Sequence, residues 1–190
     1  MDLSFIKKVD EGLFGVTKLA WVAQLEANVE NVSAPYYHGG LELCGHVVAG
    51  HTVMGDGGGC VCAVVESGRD YAAALIIVSH AKAKSEVRML DIYVQPDLNL
   101  ADAEPDYPAL AWIAAKAIIG CLDLTYATYP AQQMKLHTAF PLDKEFMTAV
   151  TTALLGVGEY SKHYEISSQG NWIVVRKKAP LGGAHLVAVS

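Results

Sequence analysis

Hydrophobic and polar positions change rhythm several times along this chain, and each change marks an expected element. Residues 3–9 alternate as a strand does. Asp10 then stands where an N-cap belongs, and a helix is predicted over 11–29. Leu13, Phe14, Val16, Leu19, Ala20, Val22, Ala23 and Leu25 wrap one broad face of it, with Lys18, Gln24, Glu26 and Asn28 mostly opposite. Residues 31–40, with Pro35, Tyr36, Tyr37 and two glycines, read as a loop, and 41–53 fit a short helix followed by a strand. Gly55-Asp56-Gly57-Gly58-Gly59 lacks the Gly-Lys-Ser/Thr ending of a phosphate loop and reads as a flexible connection into a strand. Strands are predicted over 60–66, 72–81 and 87–94, the first two joined by Ser67-Gly68-Arg69-Asp70, and three in succession make an antiparallel meander. Leu110, Ile113, Ala114, Ala117, Ile118 and Cys121 recur at helical spacing over 108–124. A strand over 134–140, a helix capped by Asp143 and running to 155, and a hairpin of 163–167 with 172–177 across Ser168-Gln169-Gly170-Asn171 complete the pattern. Residues 179–190 form a Gly- and Ala-rich tail that ends in Leu186-Val187-Ala188-Val189.

Length and composition narrow the class. A chain of 190 residues, 52% hydrophobic and 18% charged, fits one globular domain over 1–178 with the tail as an appendage. The net charge of −6 argues against a general nucleic-acid binder, which needs clustered Lys and Arg. The one basic run, Arg176-Lys177-Lys178, reads as the solvated end of a strand. Fully apolar runs such as 72–78 fall far short of the roughly 20 residues that cross a bilayer. The start, Met1-Asp2-Leu3-Ser4, lacks the features of a secretion signal, so no membrane partner and a cytoplasmic setting are expected. The mean hydropathy of +0.26 without a membrane span points to apolar surface kept for a protein partner.

Several groups invite a chemical reading, each with a structural one beside it. Cys44, His46, His51, Cys60 and Cys62 fall close together and admit a zinc site. Their spacing matches no standard finger or ribbon, and reduced thiols are the favoured reading, with Cys60 and Cys62 sharing one strand face. Ser79 and His80 are adjacent in a strand, point to opposite faces and so cannot form a direct dyad. His137 reads as a satisfied core histidine, and Trp21, Trp112 and Trp172 as core or interface anchors. The strand Leu90-Asp91-Ile92-Tyr93-Val94 leads into a loop carrying Asp97, Asp102, Glu104 and Asp106, and no Lys or Arg occurs between Arg88 and Lys116.

The order of elements over roughly 3–178, with Ile92-Tyr93-Val94-Gln95-Pro96 at its centre, resembles the GNAT acyltransferase superfamily. The resemblance implies an α/β (α+β) fold: a mixed sheet of about seven strands, an antiparallel meander plus a splayed strand, flanked by three to four helices. In that family the fourth strand often ends in Val-x-Pro and parts from the next one, and acyl-CoA enters the gap. The pyrophosphate then sits on the following loop and helix N-terminus, within Arg/Gln-x-x-Gly-x-Gly/Ala. Here the corresponding Pro96-Asp97-Leu98-Asn99-Leu100-Ala101-Asp102-Ala103 has neither glycine nor basic residue, and its carboxylates repel a pyrophosphate. The family's general base would fall on Glu86 or Asp91; the plain reading makes Glu86 an exposed strand-end charge and Asp91 a strand-edge one. Its general acid, a tyrosine, would fall by register on Phe146, which cannot donate a proton, with Tyr160 a poor substitute.

The departures lead to a non-catalytic GNAT-like protein, acting through protein–protein contacts or self-association as a structural or assembly subunit. On this reading it has no catalytic, cofactor-binding or metal-binding residues. The tail 179–190 is expected to dock on a sheet edge of its own chain or of a partner. Ile76-Ile77-Val78-Ser79-His80-Ala81-Lys82-Ala83 and Ser168-Gln169-Gly170-Asn171-Trp172 look similar to GNAT-like structural proteins of tailed phages, which would place the chain in a virion among virion proteins. The alternative is an acyl-CoA-dependent N-acyltransferase with acetyl-CoA as cofactor. A third class is a small-molecule binding module that uses the strand gap as its pocket.

Overall fold

A computed structural model describes residues 2–27, 34–52, 54–98, 105–138, 141–155 and 158–178. Asp102, Glu104 and the tail 179–190 lie outside the described residues, as do the side chains of Asp143 and Tyr160.

The chain runs β1 (Leu3–Ile6), α1 (Glu11–Ala27), α2 (Ala34–Val48), β2 (Gly59–Glu66), β3 (Ala72–Ala81), β4 (Glu86–Val94), α3 (Tyr107–Asp123), β5 (Gln133–His137), α4 (Pro141–Leu155), α5 (Gly158–His163), β6 (Tyr164–Gln169) and β7 (Trp172–Lys177). The strands form one sheet in the order β1-β2-β3-β4-β5-β7-β6. Neighbours are antiparallel except β4 and β5, which are parallel. This is the mixed seven-stranded α/β sheet expected from the sequence.

Each sheet face carries its own core. α3 and α4 cover one face, where Val64, Ile76, Val87, Met89, Met134, Leu136, Ile173 and Val175 meet Ile113, Ala117, Ile118 and Leu155. α1 and α2 cover the other face over β2, β3 and β4, where Val61, Leu75, Ile77 and Tyr93 meet Trp21, Leu25, Tyr37 and Leu41. Tyr107–Thr128 is long and apolar enough by composition to cross a bilayer, yet 56% of its most apolar window is buried within the fold, as expected of a core helix. Two α1 side chains one turn apart grip the sheet: Thr17 Oγ1 accepts from Ala72 N–H at 3.0 Å and Trp21 Nε1 donates to Ala72 O at 2.9 Å. Asp10 caps α1 as expected, its carboxylate accepting from Leu13 N–H at 2.8 Å.

Several expectations need correction. Residues 34–40 are helical where a loop was expected, and the glycine is what lets the helix lie so close to the sheet: a Cβ at Gly40 would clash with the Tyr93 ring. Residues 49–52 form no strand after that helix. α5 and a wide turn over Leu124–Thr128 were not anticipated. The β6–β7 connection is only Gly170-Asn171, since Ser168 and Gln169 pair with Ile173 and Trp172. His137 is exposed, not a core residue, and its ring lies 4.8 Å from that of Trp172. Among the tryptophans, Trp21 is fully buried while Trp112 is 67% exposed.

Candidate functional site

The centre of the sheet holds the site. β4 and β5 pair from Glu86↔Gln133 to Met89↔Leu136, and Leu90–Val94 have no strand on that side among the described residues. Along β3, Ile77 faces Asp91 and Val78 faces Met89, so Leu90 is one residue too many: a β-bulge. Strict alternation would put Asp91 on the α3 face with Val87 and Met89. The bulge moves it to the other face, where Leu90 and Tyr93 pack under α1 and α2.

Asp91 is therefore not a plain edge charge. It is partly buried, Tyr36 of α2 donates to its Oδ1 at 3.3 Å, and the Tyr36 and Tyr93 rings lie 5.1 Å apart. Burial, then the charge of Asp91, pushes the Tyr93 hydroxyl well above its usual range, and the same two causes push the Cys44 thiol up to about 12. Asp91 Oδ1 also accepts from Ile92 N–H at 2.9 Å. Gln95 N–H bonds to Ala73 of β3, so by alternation Ile92 N–H points to the open side. A donor that could meet a ligand in the gap is thus taken by the chain's own carboxylate.

The same closure occurs at the helix that follows. An α-helix leaves its first N–H groups without intrahelical partners, and these are what hold a phosphate. In α3, Tyr107 N–H bonds to Pro105 O at 2.8 Å, Pro108 has no N–H, Ala109 N–H bonds to Asp106 Oδ1 at 3.0 Å, and Leu110 N–H bonds to Asp106 O at 2.9 Å. The helix has no donor left at its first turn, and the Asp106 carboxylate already occupies the position of an anion. Among the described residues, the start of α3 offers no free N–H to the pyrophosphate of an acyl-CoA. Gln95, 4% exposed at the end of β4, leaves its Oε1 without a hydrogen bond among the described residues.

Glu86 is the clearest correction. It is 1% exposed, not a solvated strand end. Arg88 donates to Oε1, while Lys135 Nζ at 2.9 Å and Gln133 Nε2 at 2.8 Å donate to Oε2. Burial works against its charge, but Lys135, Arg88 and Gln133 outweigh burial and hold its pKa below the ordinary value. Gln133 Oε1 in turn accepts from Arg176 Nε of β7 at 2.7 Å. Both carboxylate oxygens of Glu86 are engaged, Oε1 by Arg88 of its own strand and Oε2 by Lys135 and Gln133 of β5, so it is not poised as a base. Arg88 two residues on shares its strand face, a signal the sequence carried; Lys135 is 49 positions away and enters only through the parallel register.

The other singled-out residues serve packing. Phe146 lies against the α3–α4 core. Cys60 and Cys62 do share a face, with Sγ atoms 3.7 Å apart, and the Cys60 contact, then burial, keeps the Cys62 thiol protonated. Cys44 is buried on the inner side of α2, whereas His46 and His51 lie exposed with rings 6.1 Å apart. Among the described residues no group of three His, Cys, Asp or Glu could hold a metal. Ser79 is buried while His80 stacks on Tyr129 at 4.8 Å, so the two do point apart.

No protein-family model matches this chain, and no curated protein matches it. Among solved structures, it is similar to an acetyltransferase from Agrobacterium tumefaciens str. C58, at 12% identity over 93% of this chain and 91% of that one, with a TM-score of 0.44. It is similar to a probable acetyltransferase at 8% identity over the same shares, also with a TM-score of 0.44. Likeness this distant carries no statement about chemistry.

Proposed function

We propose that this is a GNAT-like protein without acyl-CoA chemistry, acting through protein–protein contacts as a structural or assembly subunit. One observation carries the reading: the first turn of α3 has every N–H satisfied from within the chain, by Pro105 O and by the carboxylate and carbonyl of Asp106. The exposed large apolar side chains Leu19, Trp112 and Tyr107, 74%, 67% and 60% exposed, are surface that contacts with protein could use. Its partners on this reading are protein subunits, with those of a phage virion as one setting and the cytoplasm as the other, and not nucleic acid or membrane. The test is a calorimetric titration with acetyl-CoA. No binding at millimolar cofactor is expected, and a micromolar dissociation constant would overturn the reading.

A second reading, an acyl-CoA-dependent N-acyltransferase, draws on a different observation. The Leu90 bulge brings Asp91 beside Tyr36 at the mouth of the strand gap, where a carboxylate can hold an amine. The same titration separates the two readings. Micromolar binding would make Asp91→Asn the next variant, with loss of acyl transfer as its expected result.

A further inference from the structure

Among the described residues the sheet has two edges, β1 and β6. β1 is only four residues long. β6 runs six, Tyr164–Gln169, in unbroken register with β7 and with no Pro, Lys or bulge. Natural sheets blunt exposed edges with those devices, because free backbone groups on an edge recruit another strand. The ladder shows which groups are free. Lys178 N–H bonds to His163 O at 2.7 Å, so His163, and by alternation Glu165, Ser167 and Gln169, turn their backbone groups toward β7. Ile166 and Ser168 turn theirs outward, and among the described residues no strand or loop receives them. A groove of about 430 Å³ opens beside them, between β6 and Thr148 and Thr152 of α4.

We infer that β6 pairs with β6 of a second copy of this chain, antiparallel about a two-fold axis through Ser167. An antiparallel ladder joins residues whose groups point at one another. In this register Ile166 faces Ser168 of the second copy and exchanges both backbone bonds with it, and the symmetry repeats the exchange. Only Ile166 and Ser168, whose edge groups no described residue receives, are used. Ser167 lies opposite itself as a pair without mutual hydrogen bonds. Glu165, the one charged residue of the strand, lies opposite the Gln169 amide, so no like charges meet. The contact is isologous and closes on itself, which makes a dimer and not a fibre. Half-buried Ile166 gains a neighbour across the groove. The inference holds under either reading of function.

The test is the mass of the full chain in solution, by light scattering or sedimentation equilibrium at about 100 μM. A dimer of twice 20.3 kDa is expected. Ser168→Pro removes an N–H that has no partner among the described residues, so its circular dichroism and melting temperature should stay near wild type while its mass halves. Ser167→Lys and Ser167→Glu should each be monomeric, because like charges meet on the axis, and mixing the two should restore the dimer. Ser167→Cys should cross-link to itself under mild oxidation. A monomeric wild-type chain would overturn the inference. So would a dimer that survives Ser168→Pro and both charged variants, or a monomer whose β6 edge takes up a foreign extended peptide instead.

Discussion

Leu90 is the extra residue of a bulge, and the face on which Asp91 stands depends on it. Sequence periodicity cannot show this, since a strand read as period two puts Asp91 beside Met89, under α3. Asp106 is different, because its role was written in the sequence but masked by its neighbours. Read as one more charge in an acidic loop, it is the N-cap of α3, and the pattern Asp106-Tyr107-Pro108 is a normal helix start. The cap makes a prediction at this scale. Asp106→Ala should lower stability by about 1 kcal/mol, while Asp106→Asn, which keeps a side-chain acceptor, should cost only a fraction of that. Urea unfolding of both variants checks it, and equal losses would mean that the cap is not what the residue contributes. Gln95 gives a second prediction. Its buried Oε1 has no partner among the described residues, so Gln95→Met should hold or raise the melting temperature, because an unsatisfied buried acceptor costs roughly 1–3 kcal/mol. A clear drop on scanning calorimetry would show that the amide is satisfied in solution.

Among the elements, long stretches with a strong period were legible and tightly packed crossings were not. The meander β2–β3–β4, the helix α3 and the β6–β7 hairpin follow from alternation, helical spacing and turn residues that all agree. α2 was missed at its start, where Pro35, Tyr36, Tyr37, Gly39 and Gly40 have the composition of a loop. Two of those residues are there for what lies beneath. Tyr37 is buried with its ring edge-on to Trp21, and Gly40 lets the helix descend onto Tyr93. Glycine in a helix normally costs about 1 kcal/mol relative to alanine, so Gly40→Ala would stabilise an unhindered helix. Here the added methyl meets an aromatic ring held in the core, and the expected sign reverses. Gly40→Ala should destabilise by about 1–3 kcal/mol and tilt α2 away from Asp91. Gly39→Ala, one residue earlier with open space around it, should not destabilise. Melting curves of the two variants decide the point, and equal behaviour would mean that the close approach to Tyr93 is not what fixes the glycine.

Across the whole molecule, the sheet is nearly two sheets. The strands β1–β4 and β5–β7 meet along a short parallel ladder, Glu86–Met89 with Gln133–Leu136, before β4 goes on beside β3 only. Glu86 spans that seam: its carboxylate takes Arg88 from β4 and Lys135 and Gln133 from β5, and Gln133 passes the connection to Arg176 on β7. A buried carboxylate is costly unless its partners outweigh desolvation, and here they do, holding its pKa below the ordinary 4.5. The sign of the pH effect follows. Because the folded state binds this proton less readily than the unfolded chain, the contribution of Glu86 to stability is full above the ordinary carboxylate pKa and fades as pH falls below it through the lower, folded value. Glu86→Gln removes the charge at every pH and leaves Arg88 and Lys135 facing a neutral amide. It should cost about 2 kcal/mol at neutral pH and flatten the acid limb of stability against pH. Hydrogen exchange resolves where the loss falls. In the variant, amides of β5 and β7 should lose protection before those of β2 and β3, because β5 and β7 have only the core they share under α3 and α4, while β2 and β3 also keep the core under α1 and α2. Uniform loss across all strands would mean that the sheet unfolds as one unit and that Glu86 stabilises it without joining two parts.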